Sequence, residues 1–202
     1  MILIGQLDSP YVRRVAISAA FMGLEFERKN LSVFRDIPEF STYNPVLKSP
    51  SFVSDDDIVL MDSTLIIQYL EAQTQKQRSL LPKDNLALEL RIIGLALAAS
   101  DKSVQIEYEE KRPISERSPN WLARIIEQML SAFSLLEQEY QKISTPWLHG
   151  EEIMQSDITT AIALNFSYNT VPDLITKQSY PALNQHWQRA EMLDIFKQYP
   201  YC

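Results

Sequence analysis

Glycine is scarce in this chain, with four in 202 residues. A loop that cradles phosphates with its backbone amides needs several glycines close together, and none can be drawn here. Cysteine is scarcer still. The only one is Cys202, at the last position, so neither an internal disulfide nor a cysteine-ligand zinc site can be built. The two histidines, His149 and His186, have no ligand spacing around them and read as ordinary surface or packing residues. No apolar run approaches the ~20 residues of a membrane span. Met1-Ile2-Leu3-Ile4 has neither the basic start nor the length of a signal peptide. Basic side chains are the minority, 19 against 26 acidic, for a net charge of −7. That argues against a non-specific nucleic-acid or anionic-membrane surface. The expectation is a soluble, cytoplasmic protein with no metal. With 46% hydrophobic and 22% charged residues, the chain suits one large domain or two small ones with proper cores.

The opening stretch carries the most information. Met1 to Gly5 is a short apolar run ended by glycine, which predicts a buried strand. Ser9-Pro10 then opens a helix, Ser as cap and Pro pre-set for the first helical position. Val12, Val15, Ala16, Ala19 and Met22 recur at helical spacing until Gly23 stops them. A hydroxyl therefore sits at a helix N-terminus, just past a strand. Unpaired N–H groups and the positive end of the helix dipole favour an anion there, whether phosphate, carboxylate or thiolate. Further on, Glu25–Leu31 reads as a strand and Asp36–Tyr43 as a weak helix or irregular segment. Two short strands flank Ser54-Asp55-Asp56-Asp57. The triple Asp lacks the EF-hand spacing and its closing Glu, so a polar hairpin is expected. Asp62-Ser63 caps a helix through Leu70.

Gln73–Asn85 is polar and reads as a linker. Beyond it the pattern is helical throughout. Leu86, Leu90, Ile93, Leu97 and Val104 suggest one core stripe. Leu122, Ile125, Ile126, Met129, Phe133, Leu136 and Tyr140 form a clearer one. Ile158–Phe166 and Pro181–Ala190 mark two more helices. The helix through Ile158 has Met154 at its N-cap, where methionine offers no oxygen. Asp157 can reach back to the Met154 N–H, and Ile153 and Ile158 can staple the start. On that basis Met154→Ser is expected to stabilise by about 0.5–2 kcal/mol.

Ordered motifs along nearly the whole chain make it resemble the cytosolic glutathione transferases of the serine type. They are Ser9-Pro10-Tyr11-Val12-Arg13-Arg14-Val15, Asn44-Pro45-Val46-Leu47-Lys48-Ser49-Pro50, Asp62-Ser63-Thr64-Leu65-Ile66, Leu80-Leu81-Pro82, and Gly150 with Ser156-Asp157-Ile158. The resemblance implies an α/β thioredoxin-like N-terminal domain over residues 1–76. An all-α domain over 86–202 would contribute the electrophile pocket. It implies glutathione as co-substrate, a hydrophobic electrophile as second substrate, and a homodimer. Conjugation of the thiolate to the electrophile, a detoxification chemistry, is the expected reaction. An isomerase, dehalogenase or peroxidase on the same site, or a non-catalytic binding protein of the same fold, are the rivals. A thiol–disulfide oxidoreductase is not expected, since the hydroxyl of Ser9 forms no mixed disulfide.

The resemblance also implies roles. Ser9 would donate to the glutathione sulfur. Pro50 would be the family's cis-proline, exposing the Ser49 backbone to the cysteinyl segment as an added strand. Asp62 and Ser63 would take the ammonium and carboxylate of the γ-glutamyl end, and Lys48 would lie near the glycyl carboxylate. Tyr11, Tyr108 and Phe166 would wall the electrophile pocket. The sequence departs from the family pattern at Leu47, in place of Gly, at Ser49, in place of Val, and at Asp62, one methylene shorter than Glu or Gln. Arg13 and Arg14 are expected to be structural, paired with carboxylates or lying in solvent.

Overall fold

The computed structural model describes residues 1–202, the side chain of Gln77 excepted. The chain divides into two compact units, Met1–Leu80 with Leu193–Cys202, and Leu81–Met192. In the first unit the opening apolar run is strand β1 (Ile2–Ile4), with Leu3 and Ile4 buried. Ser9 caps helix α1 (Pro10–Phe21), and Pro10 takes the start of the helix, where its missing N–H costs nothing. Strand β2 is Glu27–Lys29. The segment expected to be weak is a regular helix, α2 (Ile37–Tyr43). Strands β3 (Ser51–Val53) and β4 (Val59–Met61) form the expected hairpin. Its turn is closed by Asp57 N–H on the Ser54 carbonyl at 3.1 Å. Helix α3 spans Ser63–Gln73.

These strands make one sheet in the order β2-β1-β3-β4. β1 runs parallel to β2 and antiparallel to β3, and β4 is antiparallel to β3. The parallel pair requires a crossover, which α1 supplies. Residues 193–202 group with this unit rather than with the helical residues before them. Arg13 explains much of this: its Nε donates to the Tyr199 carbonyl at 2.8 Å, and its guanidinium lies 5.6 Å from the Phe196 ring centroid. Phe21 meets Phe196 edge-on, and Phe26 stacks on Tyr199.

The second unit is helical: α4 (Leu86–Glu110), α5 (Pro119–Tyr140), α6 (Gln155–Thr170) and α7 (Pro181–Glu191). The α5 stripe is buried as expected at Ile125, Met129, Phe133, Leu136 and Tyr140. The α4 stripe is rotated from the expected one. Its core face is Ile92, Ala96, Ala99, Ser103 and Ile106, whereas Leu86 and Leu90 are 48% and 54% exposed. The reason is crowding. α4 packs against both α5 and α6, and small side chains let helix backbones approach, so bulk was the wrong guide to the buried face. No helix among the described residues is long and apolar enough to cross a membrane.

Helix α6 is buried on almost every side from Gln155 to Ser167, and its N-terminus lacks a capping oxygen of its own. Asp157 Oδ2 does accept from the Met154 N–H, at 3.0 Å. The Ser156 N–H is taken by a residue from α4: Glu89 Oε1 accepts it at 2.7 Å, and Glu89 Oε2 lies 2.9 Å from His149 Nε2. Glu89 thus supplies the cap that Met154 lacks. The stabilisation expected of Met154→Ser shrinks accordingly, because one of the first-turn donors is already satisfied.

Beside it, the carboxyl of Asp157 is fully buried. Burial pushes it up to about 7, although it accepts backbone N–H bonds from Met154 and Leu148. His186 Nε2 lies 2.9 Å from the Asp157 carbonyl oxygen, and burial holds this imidazole down to about 4. Between these limits folded Asp157 keeps a proton that the unfolded chain has lost, so its contribution falls as pH rises. Folded His186 lacks a proton that the unfolded chain still binds, so its contribution rises with pH. The two oppose each other. His186→Asn is expected to remove the rising contribution and leave the falling one. From about pH 4.5 to 6, the slope of unfolding free energy should become more negative by up to about 1.4 kcal/mol per pH unit. Urea melts across that range read it, and an unchanged slope would mean that folded His186 is charged.

Candidate active site

Strand register assembles the site. Ile4 pairs with Ser51, and Ser51 pairs with Met61. One residue beyond this row lie Gly5, Pro50 and Asp62, at one end of the sheet. The N-termini of α1 and α3 open close to that end in sequence, at Ser9 and at Asp62-Ser63. Register thus sets Pro50 and Asp62 beside Gly5, with Ser49 and Ser63 each one residue away along the chain and Ser9 four residues past Gly5.

Ser9 Oγ accepts from the Val12 N–H at 3.4 Å. That is a long cap, and it uses a lone pair, which leaves the hydroxyl proton for another acceptor. The Ser49–Pro50 peptide bond is cis. Asp62 is exposed and sits at φ 73°, and its Oδ1 accepts from the Thr64 N–H at 2.8 Å. The second carboxylate oxygen and the Ser63 N–H remain at the mouth of α3. Lys48 is exposed, and its carbonyl accepts from Ser51 Oγ at 2.6 Å.

Three residues that hold this arrangement escaped the sequence reading. Gly5 has φ +141°, and a Cβ there would lie 2.5 Å from both Ser49 Oγ and Val12 Cγ2. Glycine is thus what lets the end of β1 touch the loop and α1 together. Gly5→Ala is expected to destabilise by about 2 kcal/mol through overpacking and backbone strain. Thermal melts measure the effect, and a variant as stable as the parent would contradict this packing account.

Asn44 is the second. It is buried, its Nδ2 donates to Ser51 Oγ at 2.8 Å, and its Oδ1 accepts from the Val46 N–H at 3.0 Å. One amide therefore fixes both ends of the 44–51 loop. Within it Leu47 has φ +55°, the left-handed conformation that explains why glycine is common at this place in the family pattern. The third is Arg14. Neither arginine lies in solvent: Arg13 and Arg14 are 1% and 2% exposed, and Arg14 meets hydroxyls in place of the expected carboxylate. Arg14 Nη1 donates to Ser63 Oγ and Thr64 Oγ1, each at 3.1 Å.

The proposed electrophile walls are placed less uniformly. Tyr11 is half-buried on the first turn of α1. Tyr108 on α4 is 49% exposed, and Phe166 on α6 is only 5% exposed.

The four-stranded mixed sheet with its helices is a thioredoxin-like N-terminal part, and the second unit is an all-α C-terminal part. Residues 3–78 match the family model described as the glutathione S-transferase N-terminal domain. Over 139 residues, 68% of this chain and of the other, the sequence is 30% identical to YibF of Escherichia coli, an uncharacterized GST-like protein. A solved glutathione S-transferase from Methylobacterium radiotolerans, in complex with glutathione sulfonate, matches with a TM-score of 0.90 at 25% identity, covering 100% of this chain and 95% of that one. The fold is shared as well with a glutathione S-transferase from Methylobacillus flagellatus with glutathione bound, at TM-score 0.89 and 24% identity over 100% and 99% of the chains. The chain belongs to the glutathione S-transferase family.

Proposed function

We propose that this protein is a serine-type glutathione transferase that conjugates the glutathione thiolate to a small hydrophobic electrophile. The observation that carries the reading is the Ser9 hydroxyl, held at the N-terminus of α1 with its proton uncommitted, four residues past the strand end that register sets beside Pro50 and Asp62. In this reading the Ser49 backbone pairs with the cysteinyl segment. Ser63 and the α3 N-terminus take the γ-glutamyl carboxylate, Asp62 its ammonium, and Lys48 the glycyl carboxylate. Solved relatives that hold glutathione or glutathione sulfonate support it.

Activation follows from electrostatics. A free thiol has a pKa of ~8.5, so only a few per cent is thiolate at neutral pH. One hydroxyl donor and the positive end of a helix dipole both stabilise the anion. The charged sulfur then attacks the electrophilic carbon, and the leaving group departs with the bonding pair. Tyr11 is the ring we assign beside the sulfur. A cytoplasmic homodimer is part of the proposal, and the exposed α4 face bearing Leu86 and Leu90 is the apolar surface available to a second copy. Retention on immobilised glutathione followed by turnover of a generic aryl halide tests the function. Retention without turnover of any electrophile would leave a binding protein instead, and no retention would remove glutathione from the account.

A further inference from the structure

We infer that Ser49 is a second hydroxyl donor to the glutathione sulfur, its side chain standing on the same side of the site as the N-terminus of α1 that Ser9 caps. The inference rests on the glutathione reading above and deepens it.

The direction of the side chain comes from Gly5. A Cβ on Gly5 would lie 2.5 Å from Ser49 Oγ and 2.5 Å from Val12 Cγ2. The Ser49 hydroxyl is therefore turned toward the first turn of α1, not away from it. Val12 also gives its N–H to Ser9 Oγ, at 3.4 Å. Two hydroxyls thus converge on one residue, Ser9 on its backbone and Ser49 on its side chain. Ser49 is half-buried, and its hydroxyl has no hydrogen-bond partner among the described residues and is not sealed from solvent. Ser51, two positions on, differs. Its Oγ accepts from Asn44 Nδ2 at 2.8 Å and donates to the Lys48 carbonyl at 2.6 Å, so its proton is spent holding the loop. The Ser49 proton is left for a ligand.

Strand pairing decides which ligand atom meets it. Residues directly opposite in paired strands place their side chains on one face, with Cβ atoms about 4.5–5.5 Å apart in an antiparallel pair. A cysteinyl residue paired to the Ser49 backbone therefore turns its thiol to the face that Ser49 Oγ occupies. That face is the one toward α1, where Ser9 stands. A sulfur anion accepts more than one hydrogen bond, and each donor favours the charged form. Ser9 and Ser49 hold the thiolate between them. The family pattern has Val at this position, which donates nothing, so the second donor belongs to this chain and not to the pattern.

Thiolate ultraviolet absorbance of bound glutathione is titrated in the full chain and in its Ser49→Val and Ser49→Thr variants, which differ from each other only by a methyl exchanged for a hydroxyl. Ser49→Val should raise the midpoint by about 1 unit, the low end for a hydrogen bond to a charged acceptor. Ser49→Thr should stay within about 0.3 unit of the parent. Ser49→Ala removes the hydroxyl without adding bulk. It should match Ser49→Val, and it decides the matter where a β-branched variant does not fold. S-methylglutathione has no thiol proton to lose. Its calorimetric affinity should stay within about twofold of the parent in all three variants. Glutathione at about pH 8 should weaken several-fold in Ser49→Val and Ser49→Ala, because the proton it must lose is held more tightly. A midpoint unchanged in Ser49→Val and Ser49→Ala, or raised equally in Ser49→Thr, or equal weakening of both ligands, gives Ser49 a structural role only and overturns the inference while the glutathione reading stands. A parent that binds neither ligand overturns that reading, and the inference with it.

Discussion

Glu89→Ala is expected to destabilise the helical unit by about 3–5 kcal/mol, the largest stability effect of any single change considered for this chain. Glu89 has no solvent exposure and holds the Ser156 N–H at 2.7 Å and His149 Nε2 at 2.9 Å. Truncation strands a buried backbone donor at the start of α6, leaves His149 unpaired, and opens a cavity between α4 and α6. Burial already pushes the Glu89 carboxyl up, so the residue is held for its hydrogen bonds more than for its charge. Glu89→Gln, whose amide oxygen can still accept from Ser156, should therefore cost much less, about 1 kcal/mol. All three tryptophans, Trp121, Trp147 and Trp187, lie in this unit, so urea melts followed by tryptophan fluorescence report on it directly. An alanine variant within 1 kcal/mol of the parent, or a glutamine variant as damaged as the alanine one, would contradict this account of the cap.

Ser9→Ala should reduce kcat/KM for conjugation at neutral pH by on the order of 10–100-fold. A hydrogen bond to a charged acceptor contributes about 1.5–3 kcal/mol, equivalent to about 1–2 pKa units of the bound thiol. The fold should survive, because the Ser9 cap on Val12 is long, at 3.4 Å, which puts the cost near the low end of about 0.5–2 kcal/mol. The loss should shrink at high pH, where the thiol ionises without help. Cysteine is not the nucleophile in this account, so Cys202→Ser, at an exposed terminus, is expected to keep full activity.

What could be read from the sequence was what local rules govern. Ser9-Pro10 obeyed capping and proline preferences that need only neighbouring residues, and α1 begins there. The Ser54–Asp57 hairpin and the α5 stripe were legible for the same reason. Gly5 announced a strand end but not its closeness to Ser49, which lies 44 positions away in sequence. Arg14 and Glu89 were illegible in kind. Each is a charged residue inside a helix, which reads as solvent-facing, and each finds its partner across 49 and 67 residues. Met154 showed the deficit at the start of α6 without showing what repairs it. On α4 the large leucines outweighed the alanines in the pattern, although close helix packing favours the alanines.

The central claim is that Ser9 lowers the pKa of bound glutathione. Titrating thiolate ultraviolet absorbance in the complex measures that quantity without any second substrate. The account predicts a midpoint of about 6–7 for the parent, below the ~8.5 of a free thiol, and a rise of about 1–2 units in Ser9→Ala. A parent midpoint no lower than that of free glutathione, or the same midpoint in both proteins, would contradict it.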